Sequence, residues 1–231
     1  MVLAGGLATR LKPITNTIPK SLVNINGQPF IDWQLKLLRK KGFHRVILCL
    51  GKYSDQIIKF VGDGSKYNLE ILYSEDGEIL LGTGGALRNA LKLINEDFFL
   101  TYGDSYLDIN YSSVEEEFFK TSRAALMTVY KNTNKWEPSN AQVENDVVRT
   151  YSKRNYTKEM LFIDYGLSVI KTKSFEEYQR DGAWDLSEYF EYLSNSNNLQ
   201  AYEVMEKFQE IGSINGINDL SEFLKGKDGF Y

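Results

Sequence analysis

Apolar runs of strand length and stretches of helical spacing take turns along the first 105 residues. Val2 to Ala4 is a short apolar run ending at Gly5-Gly6. Ile31, Leu35 and Leu38 follow at helical spacing, with Leu37 beside them and Gly42 where a helix C-cap falls. Arg45 to Leu50 reads as the next strand, Ser54 as the cap of a helix carrying Ile57, Ile58 and Val61, and Leu69 to Tyr73 as a third strand. Ala86, Leu87, Ala90, Leu91 and Ile94 mark another helix before the strand Phe98 to Tyr102. Such alternation argues for an α/β fold with a parallel sheet and helices on both faces. Ligands of these sheets bind at the carboxyl ends of the strands. Two loops fall there: Gly5-Gly6-Leu7-Ala8-Thr9-Arg10 and Gly103-Asp104.

Beyond residue 105 the alternation weakens. Ser113 and Glu116 form a capping box for a short helix. Strand-like runs at Ala124 to Tyr130, Gln142 to Tyr151 and Leu161 to Ile170 are less regularly separated by helices, and read as an antiparallel or mixed extension of the same sheet. Asp185 with Glu188 caps a helix through Tyr192, Leu199 to Val204 and Phe208 to Ile211 are short strands, and Asp219 to Leu224 is a last helix. With no repeat, low-complexity tract or linker, residues 1–231 are expected to form a single domain with halves 1–105 and 106–231.

Charge and residue counts exclude several classes of function. There are 27 basic and 31 acidic residues, a net charge of −4, without the basic excess of a nucleic-acid binder. An anionic ligand must therefore be held by a local cluster. The single cysteine, Cys49, sits inside the apolar run Val46 to Leu50, and His44 is the single histidine. A zinc site of the usual His/Cys kind cannot be built from these, and no nucleophile-elbow pattern accompanies His44. Any metal would be a hard cation on carboxylates. Met1 runs straight into Val2-Leu3-Ala4-Gly5-Gly6 without a signal-peptide pattern, and no apolar stretch approaches the roughly 20 residues of a membrane span. A soluble cytoplasmic protein is the expectation. Lys36, Arg39, Lys40 and Lys41 read as the solvated face of an amphipathic helix.

The glycine pair at 5 and 6 leaves backbone N–H groups open to a phosphate, and Arg10 and Lys20 add cations to the same corner. Pro19 fixes the backbone just before Lys20. The loop is neither a Walker loop nor a dinucleotide fingerprint.

Leu3-Ala4-Gly5-Gly6-Leu7-Ala8-Thr9-Arg10-Leu11, followed by Pro19-Lys20-Ser21-Leu22, resembles the signature of the sugar-1-phosphate nucleotidyltransferases, with Ala8 where the family has Gly. The resemblance continues through Gly27-Gln28-Pro29, through Leu81-Gly82-Thr83-Gly84-Gly85-Ala86, through Gly103-Asp104, and through Glu210-Ile211-Gly212-Ser213, where the family has Asp-x-Gly-Thr. It implies a three-layer, mostly parallel, Rossmann-like fold of the nucleotide-diphospho-sugar transferase type with a mixed C-terminal extension. It implies substrates too: a nucleoside triphosphate and a sugar 1-phosphate, with Mg2+ as cofactor. The 1–105 half would bind the nucleotide and the 106–231 half the sugar phosphate.

The resemblance assigns roles residue by residue. Arg10 would hold the departing pyrophosphate, Lys20 would neutralise the α-phosphate, and Asp104 would bind magnesium. Ala4, Gly5, Gly6, Thr9, Arg10, Gly82 and Thr83 would surround the nucleotide. Gly84, Lys153, Asp164 and Gly166 would meet the sugar phosphate; Ser152 stands where the family often has Glu, and Asp164 where it often has Asn. Glu210 would be the second magnesium ligand, against a competing role as cap of the following turn. Trp184 and Asp185 read as core packing, with closure of the sugar pocket as the alternative. Glu75 adds a reading of the base: a carboxylate accepts from the N1–H and amino group of guanine or the amino group of cytosine, and has no such partner on uracil. GTP is therefore ranked first and CTP second, with a mannose- or heptose-type 1-phosphate.

Other functions are weighed beside this one: a uridylyl- or cytidylyltransferase on another small phosphate, a glycosyltransferase consuming a nucleotide sugar, and a non-catalytic ligand-sensing subunit. A glycosyltransferase would be expected to show Asp-x-Asp, which Asp104-Ser105-Tyr106 does not supply, and retention of Arg10, Lys20 and Asp104 argues against a sensor. A homodimer is compatible with the sequence, which does not fix the oligomeric state.

Overall fold

The computed structural model describes residues 1–6, 11–132 and 138–226. In chain order its elements begin β1 (Val2–Leu3), β2 (Asn24–Ile25), β3 (Gln28–Pro29), α1 (Phe30–Lys40), β4 (Arg45–Leu50), α2 (Ser54–Val61), β5 (Glu70–Glu75), α3 (Gly82–Ala90) and β6 (Phe98–Tyr102). They continue with β7 (Ser105–Tyr106), α4 (Tyr111–Phe119), β8 (Ala125–Lys131), β9 (Ala141–Glu144), β10 (Val147–Tyr151) and β11 (Phe162–Ile170). The last are α5 (Thr172–Glu177), α6 (Ser187–Asn195), β12 (Leu199–Val204), β13 (Gln209–Glu210) and α7 (Ile214–Leu224).

The chain divides into two compact units. The first takes Met1–Leu80, Tyr102–Asp108 and the segment from Phe208 onward; the second takes Leu81–Thr101 and Ile109–Lys207. The two units interleave along the chain. The reason is pairing: β13 runs antiparallel to β7, with Gln209 opposite Tyr106 and Glu210 opposite Ser105, and Ile211 N–H donates to Asp104 O at 2.9 Å. Those bonds return the C-terminal segment to the first unit.

In the first unit β1, β4 and β5 are parallel, in register from Val2–Leu48 and from Arg45–Glu70. Val46 to Leu50 are all buried, the continuous apolar run of a strand covered on both faces. Burial pushes the Cys49 thiol up to about 12, so it stays protonated and inert. Helix α1 packs Phe30, Trp33 and Leu37 with Val23, Ile25, Tyr106, Ile211, Leu220 and Leu224. This cluster joins segments more than 200 residues apart on the chain. It sets the Gly103-Asp104 turn on a packed base.

In the second unit the strand order is β6-β11-β8-β12-β10-β9, antiparallel except for β8 beside β12. This is the mixed extension expected. An aromatic core of Phe175, Tyr178, Trp184 and Tyr189 fills the space around α5 and α6, with Phe175 and Trp184 stacked at 5.9 Å.

Several local expectations change, among them the start of the last helix, which falls at Ile214 and not at Asp219. The strand drawn over Gln142 to Tyr151 is the hairpin β9–β10, because Asn145 and Asp146 both take left-handed φ (50° and 57°) and turn the chain. Helix α3 starts at Gly82, so the glycine loop is its first turn. Ser54 does not cap α2; its hydroxyl donates to Glu75 Oε2 at 2.5 Å. Asn110, not Ser113, caps α4: its side chain accepts from Ser113 N–H.

Candidate active site

In the first unit the strand ends come together. Ala4 N–H donates to Cys49 O at 2.8 Å, and Gly103 N–H donates to Leu3 O at 2.8 Å. Gly5 and Gly51 pass so close that a Cβ on Gly51 would stand 2.7 Å from Gly5 O. A Cβ on Gly103 would stand 2.6 Å from Ala4 Cβ. Glycine is required at 51 and 103 for this approach. Gly6, by contrast, faces open space and is exposed. Thr9 and Arg10 lie outside the described residues.

Lys20 opens a single helical turn just after Pro19, whose ψ of 149° is extended. Its ammonium meets Asp104 Oδ2 at 2.7 Å, with side-chain exposures of 15% and 34%. Ser105 Oγ donates to the other oxygen, Asp104 Oδ1, at 3.2 Å. A mostly shielded cation and a carboxylate about one-third exposed thus share the mouth of the strand ends. One residue of this corner escaped sequence reasoning. Gln34, buried in α1, donates from Nε2 to Tyr102 O at 2.8 Å and to Ser105 O at 2.9 Å. It grips the turn on both sides of Asp104. The signal for it was a glutamine on the apolar stripe of α1.

Glu75 ends β5, exposed and held by Ser54. Glu210 is turned toward its own chain. Its carboxylate accepts from Gly212 N–H through Oε2 and from Ser213 Oγ at 2.8 Å through Oε1. Ser213 Oγ in turn accepts from Gly216 N–H at 2.9 Å and caps α7. Gly216 leaves the room that the extra methylene of Glu210 needs, since a Cβ there would overlap the carboxylate. Glu210 is thus seen in the competing cap role. Among the described residues no three His, Cys, Asp or Glu side chains gather as a metal site. Asp104 offers partly exposed, hard oxygen donors of the kind magnesium takes, but Lys20 holds Oδ2, so an ion there would compete with that ammonium for the carboxylate.

In the second unit Lys153 follows β10, and its charge acts on both Asp164 and Asp185. Asp164 sits in β11 where the register with β8 shifts, and Gly166 at φ 96° makes that irregularity. Gly166 N–H donates to Asp164 Oδ1 at 2.9 Å and Tyr151 Oη to Oδ2 at 3.2 Å. Burial raises the Asp164 carboxyl above the usual range, outweighing Lys153 and these two bonds, which lower it. For Asp185 burial pushes the same way, but the bonds from Ser187, the Lys153 charge and Thr83 win and the carboxyl is lowered.

Thr83 Oγ1 accepts from Leu186 N–H at 2.8 Å. Gly84 N–H is engaged by Trp184 O at 3.0 Å, and Trp184 N–H by Leu81 O at 3.0 Å. Gly84 lies under the Trp184 indole, where any Cβ would collide with the ring. Trp184 is a core residue, as expected, and it clamps the first turn of α3. The Gly84 N–H is engaged in its bond to Trp184 O.

The family model described as Nucleotidyl transferase matches residues 1–146, and the chain belongs to that family. It is an enzyme of the sugar-1-phosphate nucleotidyltransferase type. It is 28% identical to the D-glycero-alpha-D-manno-heptose 1-phosphate guanylyltransferase of Campylobacter jejuni, over 92% of this chain and 93% of that one. It is 35% identical to the N-acetylmuramate alpha-1-phosphate uridylyltransferase of Neisseria meningitidis, over 49% of each chain. The crystal structure of HddC from Yersinia pseudotuberculosis complexed with GMP-PN matches at TM-score 0.79 and 26% identity, covering 96% of this chain and 97% of that one. Among the described residues no helix is long and apolar enough to cross a membrane.

Proposed function

We propose that the chain condenses GTP with a mannose- or heptose-type sugar 1-phosphate, in the presence of magnesium, to give a GDP-sugar and pyrophosphate. The observation that carries the chemistry is the Lys20–Asp104 contact at the strand ends. An oxygen of the sugar phosphate attacks the α-phosphorus, and the bond from that phosphorus to the bridging oxygen of the pyrophosphate breaks. The attacking group is already an anion, so no protein base is needed and the work is positioning and charge neutralisation. Lys20 neutralises the α-phosphoryl oxygens as charge builds on them, and Arg10 holds the departing pyrophosphate. Asp104 would hold magnesium, with Glu210 joining directly or through water once its side chain leaves the α7 cap. Held there, a magnesium ion would supply positive charge to offset that of the triphosphate. Ala4, Gly5, Gly6 and Thr9 would lie along the triphosphate, with Gly82 and Thr83 beside base and ribose. Lys153 meets the sugar phosphate, while Asp164 and the backbone at Gly166 take sugar hydroxyls. A cytoplasmic location suits the triphosphate substrate.

Guanine is favoured by Glu75, an exposed carboxylate oriented by Ser54. The 28% identity to a guanylyltransferase over nearly the whole chain supports the same base and a heptose-type sugar. Cytosine, with one amino donor for Glu75, is the second choice. The test is a matrix of four triphosphates against mannose, heptose and glucose 1-phosphates, read by pyrophosphate release. GTP should give the highest kcat/KM; a clear preference for UTP or dTTP contradicts the base assignment.

A further inference from the structure

Ser152 occupies the position next to Lys153, and its hydroxyl is saturated. Ser152 Oγ accepts from Arg154 N–H at 3.2 Å and from Asn155 N–H at 3.0 Å. It donates to Glu191 Oε1 at 2.9 Å. A serine hydroxyl has one donor and two acceptor sites, so this one has no rotational freedom left. Its bond to a carboxylate is of the stronger, charge-assisted kind. Two further bonds fix the same turn: Ser152 N–H donates to Asn140 O at 3.0 Å, and Tyr156 Oη donates to Lys153 O at 2.9 Å. Glu191 stands on α6, a helix anchored by Tyr189, Phe190 and Leu193 in the core. The turn that carries Lys153 is therefore referenced to a rigid element through one buried hydroxyl.

The placement matters because of what surrounds the lysine. A lysine side chain is a flexible stem bearing a point charge, and Lys153 interacts with two carboxylates, Asp164 and Asp185. With its backbone loose, the ammonium would settle on one carboxylate and present less charge to a phosphate. We propose that Glu191 is a positioning residue: through the Ser152 hydroxyl it fixes the turn that presents Lys153 to the phosphate of the sugar 1-phosphate. This rests on the assignment of Lys153 to the sugar phosphate. It also gives a use to serine at position 152, where the resemblance led us to expect glutamate.

The experiment uses the full chain, with GTP and the sugar 1-phosphate turned over fastest in the matrix above. Ser152→Ala and Glu191→Leu should each raise the KM for sugar 1-phosphate about fivefold, the scale of one lost hydrogen bond to a charged group, and leave the KM for GTP unmoved. Glu191→Gln keeps an acceptor oxygen and should stay near wild type. Lys153→Ala should raise the same KM further, and adding Ser152→Ala to it should change nothing more, because the two act through one contact. Equal rises in both KM values with a lowered Tm would reduce the pair to a general fold contact and overturn the proposal. So would full additivity with Lys153→Ala, or Glu191→Gln behaving like Glu191→Leu. If Ser152→Ala does not fold, the two Glu191 variants decide alone. If Lys153→Ala raises the KM while Ser152→Ala and Glu191→Leu do not, only this proposal falls. If Lys153→Ala itself leaves the KM unchanged, the assignment of Lys153 falls and takes the proposal with it.

Discussion

Lys20 and Asp104 lie 84 positions apart and meet at 2.7 Å. The ammonium is mostly shielded, so its charge acts in a less screened setting than a surface ion pair. A preorganised cation of this kind is worth about a hundredfold in rate when it meets charge that develops in the transition state. Lys20→Ala should therefore lower kcat by about that factor and move the KM for triphosphate little; a change confined to KM would assign Lys20 to ground-state binding. Asp164 gives a pH test. Its carboxyl is raised by burial, so the fold favours the protonated form. The stabilisation it offers is complete below the unfolded value of about 4 and is lost as pH rises through the raised folded value. Asp164→Asn keeps an acceptor for Gly166 N–H. Its melting temperature relative to wild type should improve from pH 4 to pH 7, and a relative loss over that interval would contradict the reading. The Pro19-Lys20 and Gly103-Asp104 motifs single out Lys20 and Asp104 in the sequence, and the structure brings the two side chains together. Gln34 shows in the sequence only as a polar residue on the apolar stripe of α1; its partners, the carbonyls of Tyr102 and Ser105, lie 68 and 71 positions away.

At the scale of elements, sequence reasoning worked best where one local rule decides. Gly42 after α1 has φ 95°, the left-handed value of a C-cap. It worked least well where caps and turns compete. Ser54 spends its hydroxyl on a carboxylate at the end of β5, a partner 21 residues away that no local pattern announces. The α3 turn is the instructive case. The resemblance assigns Gly82 and Gly84 to ligand, yet Gly84 is buried because the Trp184 indole needs its space. Gly84→Ala is expected to cost about 1–3 kcal/mol through overpacking, seen as a lowered Tm, despite the better helix propensity of alanine. An unchanged or raised Tm would mean the indole moves aside at no cost. Glu210 shows the same competition, because its side chain serves the α7 cap in this structure while the resemblance assigns it to metal.

For the whole molecule, β1 and β4 could be read from their apolar runs, since a strand buried on both faces needs them, while β5, at the sheet edge, breaks its run with Glu70 and Glu75. The interleaving of the two units could not. It depends on β13 returning to β7 across a gap of about 100 residues, and two-residue strands carry no periodicity. The base preference is read from Glu75, an exposed carboxylate at the end of β5. The activity itself rests on firmer ground: a cation and a carboxylate held at the strand ends, in a chain of the nucleotidyl transferase family. The most direct measurement is release of pyrophosphate from a triphosphate, with magnesium and sugar 1-phosphate present, by the wild type and by Asp104→Asn with its fold checked by circular dichroism. The wild type should release one pyrophosphate per nucleotide sugar formed, and the variant should be slower by at least about a hundredfold, the scale of a lost electrostatic group. Near-normal release by a folded Asp104→Asn would contradict the account.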